Sequence, residues 1–132
     1  MESKLKLVLL SYGLKSNKGD AKEGFRSIPV ADLYLDCRGV KEAGLPSHAG
    51  GGASQTFREA VAEASPEMLI SLQRVIEFSL GQIPSRRAED LDPFKEPYRI
   101  CFLCAHGIHR SVASKILVGE RLIKAGYSVE IG

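Results

Sequence analysis

Residues 98–124 read YRICFLC, then AHGIH, then RSVASKILVGERLIK, and this stretch decides the fold. Tyr98 to Cys104 is nearly all apolar, as a central strand buried on both faces is. Ala105 to His109 is a turn around Gly107. From Arg110 to Lys124 the apolar residues Val112, Ile116, Leu117, Leu122 and Ile123 recur at helical spacing, which predicts a helix with that stripe inward. Gly126 then fits the position just past a helix end. Tyr127 to Ile131 reads as a last short strand. Strand, helix and strand in this order form the crossover that parallel strands require.

The segments upstream agree. Lys4 to Leu10 (KLKLVLL) alternates and then turns wholly apolar, as a strand does on entering a core, with Ser11-Tyr12-Gly13 ending it. Ala31 to Cys37 (ADLYLDC) predicts a second strand. Thr56 to Ile83 predicts the main helical region, in two parts. Phe57, Val61 and Ala64 share one face of the first. Ser65-Pro66 restarts the second, with proline at its first helical position. Met68, Leu69, Leu72, Val75, Ile76 and Leu80 follow at helical spacing, with Met68, Leu72 and Val75 read as core. Lys15–Gly24, Gly39–Gln55 and Ser85–Pro97 are polar or rich in glycine and proline, and read as connections. The expected fold class is α/β, a single three-layer-like domain over residues 1–132 with a small, largely parallel sheet flanked by helices. Ligands in such sheets sit at the carboxyl ends of the strands. That rule selects Ser11–Lys15, Asp36–Arg38 and Cys104–Ser111.

Composition narrows the function classes. The 132 residues are 44% hydrophobic and 26% charged, an ordinary globular mix that excludes a disordered chain. Lysine plus arginine number 18 against 16 aspartates and glutamates, a net charge of +2. So small a surplus exerts no global pull toward nucleic acid or membrane. No apolar run comes near the length of a membrane span. With no secretory leader visible and three cysteines in no framework spacing, a cytoplasmic location is expected.

The chemistry concentrates at Cys104–Ser111. A turn between a buried strand and a helix offers backbone N–H groups without internal partners, plus the positive end of the helix dipole. Gly107 permits close approach of a bound group. Arg110 can fork onto two phosphate oxygens, and Ser111 can cap the helix or donate to the same anion. Together they predict an oxyanion or phosphate cradle with Cys104 at its base. Two readings stay open: the turn binds a phosphorylated ligand, or Cys104 attacks it. Cysteine, five residues, then arginine and serine is the signature spacing of cysteine-dependent phosphatases. Those enzymes also need a general acid, for which Asp92 is the candidate. Leu103 stands where the larger phosphatase subfamilies carry histidine, and bulky His109 where they place a small residue. A zinc site from Cys101, Cys104, His106 and His109 is disfavoured. Positions i and i+3 of a strand face opposite ways, so no metal is expected. Lys15, Lys18, Lys22 and Arg26 form a weak candidate RNA-tracking patch, with a solvated loop the simpler reading.

Three ordered motifs carry a family resemblance. Ser11-Tyr12-Gly13-Leu14-Lys15, the Ala31-Asp32 to Asp36-Cys37-Arg38 strand end, and Cys104 through Val112 with its His109-Arg110-Ser111-Val112 core resemble the C-terminal domain of the RapZ/YvcJ family. These are bacterial RNase adaptor proteins, and the likeness spans roughly residues 5 to 131. The resemblance implies a non-catalytic domain that binds an amino-sugar phosphate, glucosamine 6-phosphate. It also implies a part in small-RNA binding and in regulating amino-sugar synthesis. Carried over by position, it implies phosphate on Cys104, Ala105, Gly107, His109, Arg110 and Ser111. Asp36 and Arg38 would reach in from the neighbouring strand end, and Ser11 and Lys15 would line the third side. RNA, an RNase or a regulatory protein are the implied partners, no cofactor is implied, and self-association stays open. The chain departs from the family in lacking the asparagine-proline step after Arg38 and in carrying His106 in place of a glycine. Neither the family's basic tail nor its nucleotide-binding domain is expected from the 132 residues given. Without a GxxxxGK[ST] motif, no ATPase activity is expected.

Overall fold

A computed structural model describes residues 5–14, 29–40, 55–82, 97–104 and 110–132. In chain order the elements are β1 (Lys6–Gly13), β2 (Leu33–Asp36), α1 (Gln55–Ala64), α2 (Pro66–Gly81), β3 (Tyr98–Cys104), α3 (Arg110–Lys124) and β4 (Ser128–Ile131). The strands form one four-stranded sheet, parallel throughout, in the order β2-β3-β1-β4. The chain is therefore an α/β domain with a parallel sheet. No helix among the described residues is long and apolar enough to cross a membrane.

The topology follows from handedness. The steps from β2 to β3 and from β3 to β4 run the same way across the sheet. Right-handed crossovers then bring both helical connections onto one face. Accordingly α3 packs on β1, β3 and β4, and α1 and α2 pack against α3. The described residues thus account for the sheet and one helical layer.

The core fills the space between them. Register sets Leu9 beside Ile100, and Leu35 beside Phe102, on a common sheet face with Leu7 and Tyr98. Phe57 and Val61 of α1, Leu69, Leu72 and Ile76 of α2, and Val118 and Leu122 of α3 close over that face. Phe102 is fully buried and central. Deleting such an aromatic ring costs about 3–5 kcal/mol.

Several expected boundaries shift. β1 does not stop at Leu10. Ser11, Tyr12 and Gly13 continue it, paired with Phe102, Leu103 and Cys104, because β3 still offers ladder partners there. Pairing of β2 with β3 covers only Leu33 to Asp36. The Asp32 and Cys37 N–H groups still bond to the Arg99 and Leu103 carbonyls at its ends. Pro66 opens α2 as expected, although the Ser65 side chain makes no capping bond.

The faces of the helices need larger corrections. Val75 is 45% exposed and is not core. Ala64 is exposed and Met68 half-buried. On α3, Ile123 is half exposed, and Val112, Ile116 and Leu117 are only partly covered. The buried face is instead Ser111, Ala113, Ser114, Lys115, Val118, Gly119 and Leu122. The physical reason is close approach. A β-carbon added at Gly119 would stand 2.7 Å from Ile131 Cδ1 and 3.0 Å from Leu9 Cδ1, so small residues face the sheet. Gly126, at φ 99°, ends α3 in the left-handed region that favours glycine. Its N–H bonds to the Ile123 carbonyl and that of Tyr127 to the Leu122 carbonyl, the paired bonds of a Schellman motif.

Candidate functional site

The carboxyl ends of β1, β2 and β3 meet at one edge of the sheet. The Leu14 N–H donates to the Cys104 carbonyl at 2.8 Å, and the Cys37 N–H donates to the Leu103 carbonyl at 2.6 Å. Cys104 therefore stands between the two neighbouring strand ends, opposite Gly13. This is also where the chain, having run to β2 and back through β3, crosses beyond β1 to β4. In open α/β sheets ligands bind at such switch points.

Helix α3 starts at this edge. Its first residue, Arg110, donates from Nη1 to the Arg38 carbonyl at 2.6 Å, which ties the helix N-terminus to the end of β2. Its second, Ser111, is fully buried, and Ser111 Oγ accepts from Cys104 Sγ at 3.1 Å. Side chains near a helix start point back toward the N-terminus. Both residues therefore reach the strand ends, not the sheet interior.

Asp36 and Arg38 form a forked ion pair on the β2 side. Arg38 Nε lies 3.0 Å from Asp36 Oδ1 and Arg38 Nη2 lies 2.8 Å from Oδ2. The Arg38 N–H also donates to Oδ1 at 3.0 Å. These bonds, with lesser help from the Arg110 charge, hold the Asp36 carboxyl down at about 2. Asp36 is thus a fixed negative anchor for Arg38, and Arg110 is left with only a neutral carbonyl among the described acceptors. A guanidinium with free N–H donors at a helix N-terminus is suited to an oxyanion.

Cys37, which residue-type reasoning passed over, shares the helix-facing side with Cys104 and is fully buried. Burial, first of all, pushes its thiol up to about 12. It is packing, not a nucleophile. Cys101 alternates to the other face and is also pushed up by burial. None of the three cysteines forms a disulfide. Among the described residues no cluster of three or more histidine, cysteine or carboxylate side chains is arranged to hold a metal.

Of the residues selected from sequence, Cys104, Arg110, Ser111, Asp36 and Arg38 are brought together at this edge. Ser11 lies further down β1, beside Phe102, where Lys115 of α3 donates to its hydroxyl at 3.3 Å. Ala105, Gly107 and His109 fall outside the described residues. So do Lys15, Lys18, Lys22, Arg26, His106 and the general-acid candidate Asp92. Lys115 was missed. Its signal was available: a lysine four residues after Ser111, on the side of the helix that must face the sheet.

No protein-family model matches this chain, and no curated protein sequence matches it.

Proposed function

We propose that the chain is a phosphate-recognising sensor or adaptor domain that binds a phosphorylated small molecule at the Cys104–Ser111 turn. The observation that carries this reading is Arg110. It opens α3 at the sheet's switch point, bonded to the Arg38 carbonyl, while Asp36, the nearby carboxylate among the described residues, is engaged by Arg38. A cation held in this way beside helix N–H donors favours an anion over a neutral ligand. The three-motif resemblance supports membership of the RapZ/YvcJ C-terminal domains. With that membership come an amino-sugar phosphate as the ligand class, a cytoplasmic setting and an RNA-regulatory role.

Calorimetric titration tests the reading. Inorganic phosphate and glucosamine 6-phosphate should bind, and Arg110→Ala should weaken both at least about tenfold, the loss of one charge-assisted pair. No binding by either, or equal binding by the variant, refutes it. A gel shift at two salt concentrations tests the RNA role, since phosphate-backbone binding falls steeply with salt.

One observation favours a second reading, a cysteine-dependent phosphatase. Ser111 Oγ lies against Cys104 Sγ, where a hydroxyl would stabilise a thiolate leaving or attacking phosphorus. That reading requires turnover of an aryl phosphate that disappears in Cys104→Ser. Absence of turnover between about pH 5 and 8 eliminates it.

A further inference from the structure

The strand-end site makes no use of the outer side of the helical layer, and that side holds an aromatic ring in solvent. Phe78 of α2 is 71% exposed, and Val75, one turn earlier, is close to half exposed. The core does not use this ring, since Leu69, Leu72 and Ile76 already close α2 onto the sheet. Helical spacing sets Phe78 and Arg74 opposite Leu72 and Ile76, so both point away from the sheet. A lone exposed apolar residue needs no explanation, but adjacent ones on a helix face mark a contact surface.

A groove of about 540 Å³ opens on the same outer side. Its floor is apolar, made by Leu69 of α2 with Leu117 and Ile123 of α3, and Glu120 and Lys124 stand along its rim. Arg121 donates from Nε to Gln73 Oε1 at 2.6 Å, which ties α2 to α3 at the groove wall. Glu120 and Lys124 lie on α3 opposite the buried Val118 and Leu122, so the groove faces away from the sheet, as Phe78 does. An apolar floor inside a charged rim is the anatomy of a protein–protein contact. The groove has room for the Phe78 ring and the Val75 side chain together.

We infer that a second copy of this chain covers this face, as a two-fold dimer in which Phe78 and Val75 of each protomer enter the groove of the other. One surface supplies both the projection and the hollow, which is the self-complementarity that a two-fold contact requires. Charge agrees. Arg74 is exposed one turn from Phe78, and Glu120 is exposed on the rim. Neither has an ion pair among the described residues, where the pairs are Lys6–Glu130 and Arg38–Asp36. Seating Phe78 in the groove brings Arg74 to the partner's Glu120, twice by symmetry. An acyl chain would fill the floor and leave this acid and this base unmatched. A net charge of +2 sets little repulsion between copies. The contact uses the outside of α2 and the C-terminal half of α3, so it leaves Arg110 and Cys104 at the strand ends open.

Analytical ultracentrifugation of the full chain, from low to several hundred micromolar, tests the inference. The wild-type chain should form a dimer and no larger species. Phe78→Ser should weaken it at least about a hundredfold, because a buried ring is lost from two contacts at once. Circular dichroism should show that this exposed substitution leaves the fold intact. Arg74→Glu and Glu120→Arg should each weaken the dimer, and the double variant should recover most of that loss, which separate effects on the two residues would not produce. A wild-type chain that stays monomeric throughout overturns the inference, and one that also sediments with anionic vesicles assigns the face to a lipid surface instead. A dimer that Phe78→Ser leaves as tight as before overturns it too, because the contact then lies elsewhere. A double variant no tighter than the single ones overturns the two-fold arrangement.

Discussion

Replacing Ser114 by alanine should stabilise the protein. Ser114 sits on the sheet-facing side of α3 and is fully buried, and among the described residues its hydroxyl has no hydrogen-bond partner stronger than the Cys37 thiol. A hydrogen bond with the Cys37 thiol pulls that thiol's pKa down slightly against burial, but a thiol is a weak partner. A buried polar group left unsatisfied costs about 1–3 kcal/mol. Alanine removes that cost and gains about 0.5 kcal/mol of helix propensity, against a small loss of packing. The expected net gain is about 1–2 kcal/mol. Ser111→Ala supplies the control. It lies one turn earlier on the same face and gains the same propensity, but it deprives the Cys104 thiol of its acceptor. Its expected effect is between zero and a loss of about 1 kcal/mol. Urea unfolding followed by far-ultraviolet circular dichroism, with thermal melts beside it, reads both variants. For a chain of this size the pair should differ in Tm by roughly 4–11 °C. A Ser114→Ala protein that is less stable than the parent, or that matches Ser111→Ala, would refute the reasoning. It would mean that the hydroxyl has a partner worth more than its desolvation.

Two further outcomes follow from the same geometry. The Asp36 carboxyl, held near 2 by Arg38, should titrate in an NMR experiment well below the ordinary carboxylate range, and should move back toward 3.8 in Arg38→Gln. Because the folded value is the lower one, the pair's stabilisation is present above about pH 4 and is lost as pH falls toward 2. Both side chains are 53% exposed, so solvent screens the pair and the loss is small. Gly119→Val should destabilise by about 2–4 kcal/mol in urea unfolding. Its added methyls meet Ile131 and Leu9 where even a β-carbon comes within 3.0 Å or less. A loss under 1 kcal/mol would show that β4 moves away freely.

Much of the architecture was legible because it rests on short-range pattern. The apolar run Tyr98–Cys104, the helix Arg110–Lys124 and the stop at Gly126 were readable to the residue, since each has its own local signal. The ends of β1 and β2 were not. They depend on which residues of β3 remain available for pairing, and that is a property of register, invisible within one segment. The inner face of α3 was misread for a related reason. Apolar spacing pointed to Val112, Ile116 and Ile123, whereas the sheet lies so close at Gly119 that small residues had to face it. At the site, strand-end topology selected Cys104, Ser111, Arg110, Asp36 and Arg38 from sequence alone. The ion pair of Asp36 with Arg38 and the reach of Lys115 to Ser11 required side-chain positions in three dimensions.

The misreading of α3 also bears on function. The lower half of its inner face, Val118, Gly119 and Leu122, obeys ordinary packing rules and buries apolar surface against the sheet. The upper half does the opposite: Ser111, Ser114 and Lys115 are buried polar or charged groups within one and a half turns of the helix N-terminus. Each is costly to bury, and none is needed to close the core, since alanine would fit. Violations of local rules that gather in one place, at the strand ends and beside Cys104, are the pattern expected where stability has been traded for a binding site. A helix selected for packing alone would carry its apolar stripe to the first turn. This one gives up roughly half of its buried face, and the residues that replace the stripe are two hydroxyls and one ammonium in its first half. That coincidence is why Ser114→Ala should gain stability, and why the same substitution is expected to bring no gain in phosphate affinity.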